Sequence, residues 1–574
     1  MKTQTSIITI LIPKDAPEQV SYAAKELCHY LSLMSGEIFE TTETQKDNQI
    51  SLSLDSKLGN DEFIITSERF KVNIKGGKRG VIYGVYELLE ALGCRFFTAT
   101  SELIPYKEKI ILPELNTHQK PVFEYRDLNY HEATKYSRFA VKCRLNGHHC
   151  NIREKHGGHM GYTWFVHSFQ NMIDPDIYGE DHPEYFALYN GERVTRRNVN
   201  QLCLTNPDVL ELAIENVRKV LLENPETRII SISQNDWAKS CECPACRASD
   251  LKEGSASGTL LNFVNAIAER LEPEFPEVVF DTLAYNYTRP IPTSGTKARH
   301  NVCVRLCSIE ACFSHSFESC DQDRSVILPD GSRSDFITDL HNWGTVCDRV
   351  YIWDYTTCFS HYPAPHPNWN ALQPNMQAFV NNNVKGVFEQ ACGASAGSTD
   401  FNELREYIIS KLLWDPWTDV QKHIREFTDF YYGNAAPYIR EYISYICKVA
   451  EDENIHVGFQ DDLSTPLFRK EVLDTLQGFI DKAKEAVKSD PIRLHRIGKA
   501  ELSVRWVRLK RGAMVDNSLN IEEANKFFTD WKSYGLTRID EWCSPETTYR
   551  ALLHGLWRGT EFYFHPSDEG DEEL

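Results

Sequence analysis

The rhythm of hydrophobic and polar positions changes twice along the chain. Up to about residue 117, short apolar runs alternate with stretches of helical period. Ile7–Ile12 reads as a strand, and Ala16–Met34 carries Val20, Ala23, Ala24, Leu27 and Leu31 on one helical face. Ile50–Leu54 and Phe63–Ile65 read as further strands, and Gly80–Leu92 as a helix stopped by Gly93. Pro113 and Pro121 punctuate the connection that follows.

From Phe123 the apolar runs become near-continuous, each followed by a polar loop and often a helical stretch. Strands are expected at Phe123–Leu128, Lys142–Leu145, Ile229–Ser233, Val278–Tyr285, Val302–Ser308, Val350–Trp353 and Val384–Phe388, with an eighth near Tyr162–Val166. Pro207–Leu222 and Thr259–Leu271 read as helices between them. Apolar strands alternating with helices imply a parallel sheet covered on both faces, and eight such strands close a (β/α)8 barrel. After Trp414, Asp415 and Pro416 the strand pattern stops, and Val420–Tyr432, Ala436–Ala450, Pro466–Val487 and Pro491–Met514 read as amphipathic helices. The fold class is therefore α/β. A small α/β domain (1–117) precedes a TIM-like (β/α)8 barrel (118–415) and an α-helical domain (416–574). The acidic tail Ser567–Leu574 is expected to be disordered.

Composition narrows the function classes. Lys and Arg number 62 against 82 Asp and Glu, a formal charge of −20 over 574 residues. That balance argues against a broad nucleic-acid surface and a polybasic membrane patch. No apolar run reaches the roughly 18 residues of a membrane span. The 11 Trp and 26 Tyr suit sugar platforms as well as core packing. The 17 cysteines are an odd number, so at least one thiol is unpaired, and Cys303 and Cys307 read as buried small hydrophobes. The apolar run at Ile7–Ile12 is too short for a secretory signal and lacks a small-residue cleavage site. Composition leaves open a cytoplasmic chain or a mature form whose signal has been removed.

Barrel chemistry sits just past the C-terminal ends of the strands. Applied here, that rule selects Asn235 and Asp236 after Ile229–Ser233, Tyr285 after Val278, Glu310 after Val302–Ser308, Trp353 and Asp354 after Val350, and Glu389 at the end of the last strand. Carboxylates and aromatics ringing a barrel mouth suit glycoside hydrolysis, in which one carboxylic acid protonates the leaving oxygen. The alternative is that such carboxylates hold arginines or a cation. Cys241, Cys243 and Cys246 form a C-x-C-x-x-C run that can share a structural Zn²⁺, with Cys203 as the first candidate for a fourth ligand; a disulfide or free thiols are the alternatives. His148, His149, His156 and His159, with His167 after them, lie in a Gly-rich stretch. Without an H-E-x-x-H spacing, they read as substrate hydrogen-bonding groups rather than metal ligands. No P-loop or G-x-G-x-x-G motif is present.

On these residues the chain resembles the bacterial domain of unknown function 4838. The matching stretches are His182–Leu188 (HPEYFAL), Gln201–Pro207 (QLCLTNP), Ser233–Asp236 with its cysteines, Thr282–Tyr285 (TLAY), Gly386–Gln390 (GVFEQ) and Tyr407–Pro416 (YIISKLLWDP). That family includes the glycoside hydrolase family 163 endo-β-N-acetylglucosaminidases of gut bacteria, which act on complex N-glycans. The first 117 residues look like the small α/β domain that precedes barrels in hexosaminidases and α-glucuronidases. The resemblance implies a retaining endo-β-N-acetylglucosaminidase using the substrate's own acetamide oxygen as nucleophile, no cofactor for catalysis, a glycan as the binding partner, and a periplasmic or cell-surface location. It assigns Glu310 as general acid and Asp236 as the carboxylate supporting the acetamide, with the reverse, Asp236 as acid and Asn235 orienting the acetamide, as the alternative. Tyr285, Trp353, Asp354, Glu389 and His167 would bind the sugar. An exo-acting hexosaminidase, an α-glucuronidase-like enzyme and a non-catalytic carbohydrate-binding barrel are the rival functions.

Overall fold

A computed structural model describes residues 8–69, 71–320, 326–327 and 333–556. The acidic tail Ser567–Leu574 and the first seven residues lie outside the described residues. The chain divides into two compact units, one of residues 1–159, 356–373 and 390–574, the other of residues 160–355 and 374–389.

The second unit carries the parallel sheet. Its strands follow one another in chain order: Tyr162–Thr163, Ile229–Ser231, Val279–Ala284, Val302–Cys307, Val350–Tyr355 and Val384–Gln390. The first four pairings are parallel, with Phe280 opposite Val302 and Val304 opposite Val350. All six residues of Val302–Cys307 are buried, as expected for a strand covered on both faces. Helices Pro207–Glu223, Ala256–Leu271, Phe336–Val346 and Leu372–Asn381 supply crossovers. Their starts are written locally. Asn206 accepts a hydrogen bond from Asp208 N at 2.9 Å with Pro207 at the first helical position, and Asp335 accepts from Thr338 N at 2.8 Å. The result is a curled parallel α/β sheet of the TIM-barrel type.

Inside this sheet lies a polar pair that hydropathy does not announce. Asp281 and Arg305 are both fully buried, and Arg305 Nε stands 3.5 Å from Asp281 Oδ1. Tyr162 donates its hydroxyl to the other carboxylate oxygen. The guanidinium sits over the rings of Tyr162, Phe165 and Tyr351, at 5.5, 5.4 and 5.4 Å.

The first unit opens with a mixed sheet in the order Thr41–Thr42, Thr9–Leu11, Gln49–Leu54, Lys71–Gly76, Phe63–Glu68, Thr117–Gln119. Helices Glu18–Ser35 and Gly80–Ala91 pack with it. The second is capped by Leu92, followed by Gly93 at φ +101°, a conformation that costs a side-chain-bearing residue energy. Beyond Trp414 every regular element among the described residues is helical, beginning with Val420–Tyr432 and Ala436–Asp452.

Seven of the eight expected strands form, the seventh being Tyr125–Asn129 in the first unit. Lys142–Leu145 does not: the segment is the end of a helix, Ser137–Lys142, and Arg144 turns at φ +57°. The two cations explain the difference. Lys142 and Arg144 are buried because Glu102 pairs with the first and Glu87 and Glu90 with the second. An apolar strand would have left those charges unpaired. Tyr162–Thr163 is shorter than its apolar run suggested, since Trp164 and His167 adopt φ +56° and +55°.

Candidate active site

The strand ends bring the expected groups into the second unit. Past Ile229–Ser231 the chain enters a loop in which Asn235 is buried and Asp236 exposed. Asn235 is fully engaged by the protein. Its Nδ2 donates to the carbonyl and side-chain oxygens of Asn200 at 3.0 and 2.8 Å, and its Oδ1 accepts from Gln170 N at 3.1 Å. Gln201 bonds the same loop at three points: it accepts from Asn235 N at 2.9 Å and donates to the carbonyls of Asn235 and Trp237, both at 2.8 Å. Asn235 thus positions the loop, and Asp236 presents its carboxylate.

Tyr285, half-buried after Val279–Ala284, donates its hydroxyl to Asp236 Oδ1 at 3.1 Å. Burial first, then the nearby charge of Asp236, pushes the phenol's pKa up, with a smaller contribution from Glu310. His167 stands beside Tyr285, ring centroids 6.0 Å apart. Its Nδ1 lies 2.8 Å from the carbonyl of Gln234. A carbonyl only accepts, so Nδ1 carries the proton, and in the neutral ring Nε2 is left as an acceptor. The other histidines, His148, His149, His156 and His159, belong to the first unit. There His149 pairs with Asp127 at 2.8 Å and His156 with Ser137 at 2.6 Å.

Glu310 follows Val302–Cys307, with 35% of its side chain exposed. Burial raises its carboxyl above the usual range, outweighing the Arg289 guanidinium, which pulls it down. Arg289 Nη1 lies 2.9 Å from Glu310 Oε2, and its Nε lies 2.6 Å from Asp339. Arg289 is itself fully buried, and its carbonyl accepts from Trp343 Nε1 at 2.8 Å. The sequence offered no motif for Arg289. Its only signal is its place just past the end of a strand.

The last two strands contribute a second acidic pair. Asp354 accepts from Ser308 Oγ at 2.5 Å and from Tyr355 N at 2.9 Å, and burial pushes its carboxyl up to about 6. Glu389 is fully buried, and neither of its oxygens has a protein hydrogen-bond partner among the described residues. Burial and then the charge of Asp354 hold its pKa well above the carboxylate range. Two such groups resist carrying two charges at once. Trp353 is half-buried, its ring 5.6 Å from Phe165 and 5.0 Å from Phe388. The four cysteines Cys203, Cys241, Cys243 and Cys246 also come together here.

The sequence profile of a domain of unknown function, DUF4838, matches residues 96–444, more than half of the chain. The chain belongs to the DUF4838 family. No curated protein matches this DUF4838 chain. Among solved structures, a family GH115 4-O-methyl-α-glucuronidase with specificity for decorated arabinogalactans is similar to it with a TM-score of 0.55 and 12% identity, over 96% of this chain and 78% of that one. A Clostridium perfringens GH89 protein in complex with GlcNAc-α-1,4-galactose gives 0.46 and 12%, over 90% and 65%. A GH138 enzyme targeting pectin rhamnogalacturonan II gives 0.41 and 10%, over 92% and 73%. At these identities the likeness speaks for the fold alone, and the first of them shows that the DUF4838 chain shares the overall fold of that glucuronidase.

Proposed function

We propose that this DUF4838 protein is a retaining endo-β-N-acetylglucosaminidase acting on complex N-glycans by substrate-assisted catalysis. The observation that carries the proposal is the division of labour around Tyr285. An exposed carboxylate, Asp236, is held by the phenol, while the Glu310 carboxyl is partly buried beside Arg289 and is shifted upward by that burial. Two carboxyl groups whose environments differ in this way can act as stabiliser and acid.

In the first step the 2-acetamido oxygen of the substrate attacks the anomeric carbon. Asp236 accepts the amide N–H, which becomes more acidic as positive charge develops on the acetamide. Glu310 gives its proton to the departing glycosidic oxygen, so the C–O bond breaks without releasing an alkoxide. In the second step the Glu310 carboxylate removes a proton from water, which opens the oxazolinium ring and restores the acetamide. Two displacements at one carbon retain its configuration. Tyr285 would fix Asp236, and Trp353 and His167 would line the sugar site. A second reading within the same class makes Glu389 the acid, because it is fully buried with neither carboxyl oxygen hydrogen-bonded by the protein among the described residues, and burial with the Asp354 charge shifts its carboxyl upward.

The test is product analysis on a panel of released and protein-attached glycans. Release of an intact oligosaccharide that leaves one N-acetylglucosamine on the protein supports the endo-acting reading. Release of single terminal sugars assigns an exo-acting glycosidase. Binding without turnover assigns a carbohydrate-binding barrel.

A further inference from the structure

We propose that Cys203, Cys241, Cys243 and Cys246 bind one structural Zn²⁺ as a four-thiolate site. The four ligand atoms lie within 4.8 Å of one another, and all four residues are buried, with exposures of 3, 6, 6 and 3%. They come from two stretches of chain, Cys203 lying 40 residues before Cys243, so local sequence alone does not hold them together. Cys203 Sγ stands 3.7 Å from Cys243 Sγ and 3.8 Å from Cys246 Sγ. A tetrahedron with Zn–S bonds of about 2.3 Å has edges of about 3.8 Å. A disulfide needs sulfurs at about 2.05 Å, so these separations fit a shared metal and not a bond.

The surroundings suit the charge of such a site. Four thiols lose their protons on binding, and four thiolates around one dication leave two net negative charges. Donors face the sulfurs: Leu188 N lies 3.3 Å from Cys241 Sγ, Cys246 N lies 3.4 Å from Cys243 Sγ, and the Thr205 hydroxyl lies 3.2 Å from Cys246 Sγ. The Arg193 guanidinium, which donates to the Phe186 carbonyl at 2.6 Å, adds a positive charge near Cys203, Cys241 and Cys243. Donors of this kind orient and tune metal ligands. Cys243 also caps the helix Pro244–Glu253, so one ligand is fixed by a secondary-structure element.

Four cysteine ligands leave no open position, so the metal is structural rather than catalytic. Its effect is to pin the loop of residues 237–246 to the segment carrying Leu188 and Cys203. That segment also contains Gln201, whose three hydrogen bonds hold Asn235 and Trp237 on either side of Asp236. The zinc would therefore support the loop that presents Asp236.

Elemental analysis of the full-length protein, purified without chelator, tests this. About one Zn²⁺ per chain is expected, released as four thiols are titrated with a mercurial in the presence of a zinc indicator. The Cys243→Ser, Cys246→Ser double variant should carry none. If that variant fails to fold, the titration of the unaltered protein decides alone. A metal-free protein, iron in place of zinc, or peptide mapping that finds Cys203 in a disulfide overturns the proposal. Zinc content is read without substrate, so its failure is distinguishable from failure of the glycosidase reading.

Discussion

Tyr285 donates its hydroxyl to Asp236 at 3.1 Å, and this hydrogen bond is the one direct side-chain tether described between the Asp236 carboxylate and the neighbouring strand end. A neutral donor at that point fixes the carboxylate without neutralising it, as an arginine would. Removing it in Tyr285→Phe leaves the ring in place and frees Asp236. A hydrogen bond to a charged group is worth about 1.5–3 kcal/mol, so kcat should fall about 10- to 100-fold. The melting temperature should be little changed, because Tyr285 is only half-buried. Steady-state kinetics with a melting curve checks both.

Asp339 should tune the acid from a distance. Its charge contributes to raising the Glu310 carboxyl, while Arg289, which both carboxylates share, lowers it. A general acid works only while protonated, so the rate falls as pH rises through the pKa of Glu310. In Asp339→Asn the raising charge is gone and Arg289 acts on Glu310 alone. The alkaline limb of the pH–rate profile should move to lower pH. A limb that stays in place would show that Glu310 is not the titrating group.

Glu389 should leave a mark on stability. Its folded-state pKa lies well above the ordinary 4.5, so the folded protein holds this proton more tightly than the unfolded chain. The stability linked to it is complete below 4.5 and is lost as pH rises towards the folded pKa. Glu389→Gln removes this titration. The variant's melting temperature relative to the unaltered protein should therefore climb steadily between acid and neutral pH. A difference that does not depend on pH would refute the assignment.

The buried Asp281–Arg305 pair predicts a large structural effect. Asp281→Ala leaves the fully buried Arg305 guanidinium without its carboxylate. Breaking such a pair costs about 3–5 kcal/mol, measurable as a shift of the denaturant midpoint. A cost below about 1 kcal/mol would mean that the aromatic rings around Arg305 are enough to hold it.

Much of the fold could be read from the sequence because parallel strands announce themselves as unbroken apolar runs. Val302–Cys307 and Val350–Tyr355 lie where their Val, Ile and Leu residues predict. The helix read at Pro207–Leu222 forms as Pro207–Glu223, and a helix stop was legible from Gly93. Lys71–Gly76 was not anticipated, because its lysines and asparagine dilute the apolar signal of an alternating strand. Lys142–Leu145 misled because charges buried by remote glutamates look, in sequence, like polar strand positions. Strand-end counting selected Asp236, Glu310, Asp354 and Glu389, and each lies at or past a strand end of the second unit. It did not show that Arg289 joins Glu310 to Asp339, nor that the Asn235 amide is spent on Asn200 and Gln170, because side-chain pairing across separate loops leaves no period in the sequence.

The most direct test of the assignment of Glu310 and Asp236 is the dependence of each variant's rate on the leaving group. It compares a natural N-glycan with an aryl glycoside that departs without protonation. General acid catalysis contributes about 10²–10⁴-fold, so Glu310→Gln should lose at least that on the glycan and much less on the aryl substrate. Asp236→Asn should slow both substrates alike, since the acetamide must attack whatever departs. If Glu310→Gln keeps near-normal rates on the glycan while Asp236→Asn shows the leaving-group dependence, the two roles are reversed. If neither variant loses activity, the chemistry lies elsewhere, with Asp354 and Glu389 the pair to examine.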